Sequence, residues 1–380
     1  MKIVLVIDQF DDANNGTTIS ARRFAQALKD HGNEVRVIAT GKPADYKYAV
    51  RQMRFFPVME HLITSQGMRL AIPNRHVFEK AAAWADVVHF LMPSPLAVMG
   101  LKHVEKLGIP HTAAFHCQPE NITYTLHMGN SRRVNDFVYN RFRDTFFNRF
   151  THIHCPSNMI ADQLRCHGYT AQLHVISNGI SPEYVYGRAP KEPWMQGRFN
   201  VLMVGRYAGE KRQDTLIEAC IRCRHAGEIQ LILAGKGPLE KKYRKQAESL
   251  PNPIVMGFYE PARLLEILHM ADLYVHTSDA EIEAMSCMEA FACGLVPVIA
   301  ESPRSATPQF ALDGRSLFPA GDADALAARI DWWIEHPAER REMGLRYAEH
   351  AKQYALEASI RQTEEMFRTA IAEAGRTPKG

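Results

Sequence analysis

NGISPEYVYGRAPKEPWMQG, Asn178 to Gly197, decides the fold of this 380-residue chain, because it interrupts an otherwise regular pattern with proline and glycine. Proline fixes φ and removes an amide donor, so such a run suits neither helix interior nor sheet centre. Upstream, short β-branched runs alternate with helical patterns: KIVLVI, then 17–31, EVRVIA, DVVHFL, then 96–107, HTAAFH, then 132–149, THIHCPS, then 157–167 and LHVIS. Downstream the alternation restarts with FNVLMVG, IQLILAG, PIVMG, DLYVHTS and VPVIA, and closes with amphipathic patterns over 337–352 and 356–374. Strands that alternate with helices imply a parallel sheet covered on both faces. The expected fold is α/β, two doubly wound Rossmann-like domains facing across a cleft. Residues 1–178 form the first, 179–197 the linker, 198–353 the second, and 354–380 a C-terminal helix crossing back to the first. Sites in such folds lie at the carboxyl ends of the strands.

Composition narrows the partners. Net charge is +3, but residues 1–180 hold 20 Lys/Arg against 14 Asp/Glu, while residues 181–380 hold 25 against 28. The basic half, with twelve of the seventeen histidines, suits an anionic surface such as a membrane. Nucleic acid is not expected, since the arginines and aromatics form no stacking platform. Seven scattered cysteines, with Cys220 and Cys223 the close pair, supply no four-ligand zinc pattern and read as reduced thiols. MKIVLVIDQF lacks the regions of a secretion signal, and no window reaches the roughly 18 apolar residues of a membrane span. A cytoplasmic protein is expected, peripheral on the inner face of the cell membrane.

Four segments carry chemistry. In HTSDAEIEAMSCMEAFACGL, His276 to Leu295, a polar loop bearing Glu281 leads into a helix bearing Glu289, and Met285, Met288, Ala292 and Leu295 recur at helical spacing. The amides opening that helix suit a diphosphate; the alternative is a solvated acidic loop before a core helix. In VGRYAGEKR, Arg206 and Lys211 flank a turn that opens a helix. Cations there oppose the helix dipole unless an anion sits between them. In AGKGP, Gly235 and Gly237 permit close backbone approach, and Pro238 suits a helix start. DQFDDANNGTTIS places Asn14, Asn15 and Gly16 before a helix that Thr17 or Thr18 can cap.

As an ordered set these segments, with FHCQPEN, SNGI and EAFACGLVPVIA, resemble the GT-B glycosyltransferases of glycosyltransferase family 4 over nearly the whole chain. The resemblance implies a nucleotide-sugar donor, with Arg206 and Lys211 on its diphosphate and Glu289 on its ribose. It puts Glu281 on hydroxyls of the transferred sugar and the amides of Ala284, Met285 and Ser286 around phosphate. Gly16, Gly235 and Gly237 fall in donor-side loops, and His116 near the reacting carbon, with a buried structural histidine as the alternative. Family members retain anomeric configuration. Two departures stand out: Ile282-Glu283-Ala284 replaces the usual Gly-Phe-Gly, which lets Glu283 compete with Glu281, and ESPRSATPQFAL replaces a Gly-Gly turn. With them the chain resembles bacterial diacylglycerol glucosyltransferases.

No metal or other cofactor is expected. Asp322-Ala323-Asp324 follows Gly321 at a helix start, where carboxylates cap and complement the dipole. For the acceptor there are two candidate lipid-facing stretches, Ser131 to Phe150 with five arginines and six aromatics, and Arg51 to Pro73. A core helix is the alternative for the first. The leading expectation is transfer of a hexose, glucose, to a lipid such as diacylglycerol. The alternatives are a soluble or polysaccharide acceptor, and a nucleotide-sugar-binding protein without transferase activity.

Overall fold

The computed structural model describes residues 1–11, 16–56, 60, 69–125 and 128–379. Asn14, Asn15 and much of the Arg51–Pro73 stretch lie outside them. The chain divides into two compact units: Met1–Pro119, Ser131–Asn178 and Leu356–Gly380 form the first, and Glu120–Asn130 with Gly179–Ala355 the second.

In the first unit seven strands form a parallel sheet: β1 (Lys2–Val6), β2 (Glu34–Thr40), β3 (Lys47–Val50), β4 (Val87–Phe90), β5 (His111–Ala114), β6 (His152–Cys155) and β7 (Gln172–Val175). Their order is β3-β2-β1-β4-β5-β6-β7. Reversal of direction beside β1 creates a topological switch point. Helices α1 (Gly16–Asp30), α2 (Arg75–Trp84), α3 (Pro95–Lys106), α5 (Arg132–Thr145) and α6 (Asn158–Cys166) connect them, and α4 (Pro119–Thr125), between β5 and α5, belongs from Glu120 on to the second unit. Starts are set by chemistry: the side chains of Asn74, Ser94 and Ser157 accept amides of α2, α3 and α6, and Pro95 takes the first position of α3. The C-terminal helix, Leu356–Glu373, buries Ile360, Met366, Phe367 and Ile371 against Ile3, Leu5, Phe24 and Leu28. Full burial of one such side chain stabilises by about 1.5–3 kcal/mol, which makes this helix part of the first unit's core.

The arginine- and aromatic-rich stretch from Ser131 is mostly a core element. Tyr139, Phe146, Phe147 and Phe150 are buried, and Phe137 alone of its six aromatics is strongly exposed, at 67%.

The second unit carries β8 (Phe199–Val204), β9 (Ile229–Ala234), β10 (Val255–Gly257), β11 (Leu273–His276), β12 (Ala280–Glu281), β13 (Pro297–Glu301), β14 (Arg304–Ser305) and β15 (Leu317–Pro319). Six of them form a parallel sheet in the order β10-β9-β8-β11-β13-β15, and β12 pairs with β14. Its helices are α7 (Gln213–Arg222), α8 (Glu240–Gln246), α9 (Pro261–Met270), α10 (Met285–Ala292), α11 (Ala323–Glu335) and α12 (Pro337–Ala351). The stretch expected as a linker is packed onto this unit. Arg188 donates to the Ala271 carbonyl at 2.8 Å, Lys191 pairs with Asp272 at 2.6 Å, and Tyr184 and Met195 enter the core. Glu120–Asn130, assigned from sequence to the first domain, clusters with the second unit.

Candidate active site

Glu281 is the centre of the constellation in the second unit. Two residues of β12 hold it: Ala280 pairs with Arg304 and Glu281 with Ser305, while Ala306 N donates to the Glu281 carbonyl at 2.9 Å and Ser302 Oγ to that of Asp279 at 2.6 Å. The ESPRSATP segment, a departure in sequence, is thus the strand partner of the glutamate loop. Glu281 is buried and ion-paired to Lys211. Burial alone would raise its carboxyl, but the Lys211 ammonium and then His276 outweigh it and hold the pKa well below the usual carboxylate range. His276 Nε2 lies 3.2 Å from Glu281 Oε1, close in charge although poorly aligned as a hydrogen bond. Glu283 is more deeply buried, and its charge follows burial in raising the Tyr354 phenol.

Lys211 ends the short turn Gly209–Lys211. Thr277 Oγ1 fixes that turn by donating to the Lys211 carbonyl at 2.8 Å, and Asp279 N donates to the Glu210 carbonyl at 2.7 Å. Arg206, just after β8, pairs with Glu210 at 2.7 Å. Both expected diphosphate cations therefore rest on carboxylates. Arg212 and Arg304 add charge around Asp279, at 3.3 and 3.9 Å. Tyr124 of α4 donates to the same carboxylate at 2.9 Å, and burial followed by that negative charge pushes its phenol up to about 12.

Ala284, at the N-cap of α10, has φ +54°, the left-handed region that favours glycine. The backbone path of a glycine survives the replacement. Among the described residues no side chain caps α10, and Cys287 N donates to the Ala284 carbonyl at 2.9 Å. The amides of Met285 and Ser286 thus precede the intrahelical ladder. Ser286 Oγ instead donates to the Val204 carbonyl at 3.2 Å. Glu289 is buried one turn on, and its charge follows burial in raising the Cys293 thiol to about 12, with Arg188 opposing.

Gly235 and Gly237 have a local explanation. A Cβ on Gly235 would stand 2.0 Å from the Gly205 carbonyl oxygen, and one on Gly237 2.5 Å from that of Tyr207. The close approach they permit is of the turn carrying Arg206 against the AGKGP turn. Asp322 caps α11 through Ala325 N at 2.9 Å, and Asp324 pairs with Arg222 at 2.9 Å.

His116 and Gly16 lie in the first unit. Gly16 opens α1. The His116 ring meets His154 edge-on at 5.2 Å, and burial, then the His154 imidazole, push its pKa down to about 3. It is a neutral ring at working pH. His276, Tyr274, Asp279, Tyr124 and Arg304 had no role in the sequence reading. The available signal was the two-residue spacing of Tyr274 and His276 on a strand, which puts both on one face.

The family description "Glycosyltransferase Family 4" matches residues 14–184, and "Glycosyl transferases group 1" matches 189–352. An alpha-monoglucosyldiacylglycerol synthase from Streptococcus pneumoniae is 22% identical over 320 residues, 79% of this chain and 71% of that protein. HepE from Anabaena, solved in complex with UDP-glucose, superposes with a TM-score of 0.74 at 17% identity over 97% of this chain and 100% of its own. The solved catalytic domain of cholesterol-alpha-glucosyltransferase from Helicobacter pylori is 48% identical, covering 41% of this chain and 99% of its own with a TM-score of 0.40.

Proposed function

We propose that this chain, which belongs to the GT-B glycosyltransferases, moves glucose from UDP-glucose to the hydroxyl of a membrane lipid such as diacylglycerol, with retention and without a required metal. The observation that carries this reading is the Lys211–Glu281 ion pair beside an uncapped helix start. A cation, free amides and a fixed carboxylate sit together where a sugar diphosphate needs all three. The lipid acceptor is supported by the diacylglycerol named for the pneumococcal relative, and the donor by UDP-glucose bound to HepE.

In the reaction the bond from the anomeric carbon to the β-phosphate oxygen breaks and its electron pair leaves with UDP. The acceptor oxygen bonds to the anomeric carbon on the same face, and its proton goes to the departing phosphate. Lys211 and Arg206 neutralise the growing diphosphate charge, aided by the amides of Met285 and Ser286, an arrangement of preorganised dipoles and cations. Glu281 holds sugar hydroxyls and Glu289 the ribose. Fixed positive groups of this kind do the electrostatic work that a divalent ion does elsewhere.

We further propose that the chain works on the cytoplasmic face of the membrane as a peripheral protein. Among the described residues no helix is long and apolar enough to cross a membrane. Exposed Phe137 shares α5 with exposed Arg132, Arg133 and Arg141, a combination that suits an anionic surface. The test is a donor panel (UDP-glucose, UDP-galactose, GDP-mannose) with a total lipid extract and with soluble sugars, scored by product mass. A hexosyl lipid formed from UDP-glucose supports the reading. Products on soluble sugars alone would contradict the acceptor, and binding of donor without any product would contradict the transfer.

A further inference from the structure

Tyr274 and His276 stand two residues apart on β11, with rings 6.1 Å apart and tilted by 22°, and both are buried. A chain of polar contacts runs through them from the helix start at Ser286 to the carboxylate of Glu281. Ser286 Oγ gives its proton to the Val204 carbonyl at 3.2 Å, so the Tyr274 hydroxyl, 3.0 Å from Ser286 Oγ, is the donor of that pair. A phenol has one proton to give. Tyr274 Oη can then only accept from His276 Nδ1, 3.3 Å away. This puts a proton on Nδ1 and turns the Nε2 edge toward Glu281 Oε1, at 3.2 Å.

Lys211 contacts the same carboxylate oxygen. If Lys211 serves the donor diphosphate, as proposed above, its ammonium is drawn from Glu281 at the moment a sugar arrives. A buried carboxylate that loses its cation is costly and free to move. Nearby Tyr274 and Cys287 offer no charge, since burial, first, and then neighbouring negative charge push both well above their ordinary values. Among the described residues, the ion-pair partners of Glu281 are Lys211 and His276.

We infer that His276 is the positioning residue that holds Glu281 against the transferred sugar once Lys211 has turned to the diphosphate, its Nε2 facing Oε1 at 3.2 Å. His276 acts through Glu281 and touches no substrate. The inference rests on the donor-site reading, and it makes the sugar end of the site separable from the nucleotide end. The Tyr274–Ser286 link also ties the ring plane of His276 to the helix start.

The experiment compares UDP with UDP-glucose as calorimetric ligands of the full chain, together with kcat and KM. His276→Phe keeps a ring without a donor, His276→Asn keeps a group near Nδ1 that falls short of Glu281, and His276→Gln reaches it. Expected are UDP affinities within twofold of wild type for all three. UDP-glucose turnover should fall at least tenfold for the Phe and Asn variants and recover to within threefold for Gln. Wild-type turnover in His276→Asn, or equal weakening of UDP and UDP-glucose, overturns the inference. Should His276→Phe fail to fold, the Asn and Gln pair decides alone. A wild-type chain that binds neither ligand overturns the donor-site reading and this inference with it.

Discussion

Lys211 and Glu281 form an ion pair across 70 positions of sequence, joining the turn after β8 to the two-residue strand β12. The pair keeps a cation and a carboxylate at one point, and under the proposed function a sugar diphosphate would divide them between phosphate and hydroxyls.

Arg206→Ala and Lys211→Ala should each lower turnover by tenfold or more, about 1.4 kcal/mol or more of transition-state stabilisation. Lys211→Ala carries a second effect, because it leaves Glu281 buried without its main cation. Initial rates with saturating acceptor check this, and near-normal rates in both variants would remove the two cations from the reaction.

Glu289→Ala should act on binding. The carboxylate is buried one turn inside α10, and as the proposed ribose contact it would supply affinity in ground and transition states alike. Calorimetry should show weaker donor binding, with kcat changed less than Kd. Unchanged affinity would remove Glu289 from the donor site.

Two glycine-related substitutions should have opposite signs. Ala284 at φ +54° carries the left-handed cost of an L-residue, about 1–2 kcal/mol, so Ala284→Gly should stabilise by roughly 0.5–1 kcal/mol after the entropy of the freer unfolded chain is subtracted. Gly235→Ala drives a Cβ to 2.0 Å from the Gly205 carbonyl oxygen and should destabilise and displace the Arg206 turn. Denaturant melts of both variants read the two signs directly.

Much of this was readable from sequence. Alternation of apolar runs with helical periods gave the main strands of both sheets, since buried parallel strands are continuous apolar runs. Missed were β3, a short edge strand, and β12, β14 and β15, which are two or three residues long and owe their existence to pairing rather than to local pattern. The packing of residues 179–197 onto the second unit was hidden for a related reason. Prolines marked irregular backbone, but nothing local told that Arg188 and Lys191 would bind it to Ala271 and Asp272. At the site, residue types with charge stood out, while His276 and Tyr274 looked like parts of an apolar strand. AGKGP was legible as a close approach, with its partner, the Arg206 turn, visible only in three dimensions.

Stability should fall in mild acid. His89, His116 and His154 are buried with pKa values pushed below the ordinary 6.5 by burial first and by one another's charge, or that of a neighbouring histidine, after it. The unfolded chain takes up these protons first as pH drops below about 6.5, so their contribution is present above that pH and is lost on the way down toward the folded values near 3 to 4. Asp8 works the other way. Burial raises its carboxyl from 3.8 to about 6, so the folded chain holds that proton more tightly and gains stability as pH falls through this window. Three histidines outweigh one aspartate, and Tm at pH 5 should lie several degrees below Tm at pH 7.5. An unchanged or higher Tm would contradict the buried-histidine account.

The most direct measurement is the anomeric configuration of the product made from UDP-glucose and diacylglycerol in vesicles with EDTA present, read by the proton coupling at the sugar's anomeric carbon. The account predicts an α-glucosyl lipid formed at an undiminished rate. A β-linked product, or turnover that returns only when a divalent metal is restored, would contradict it.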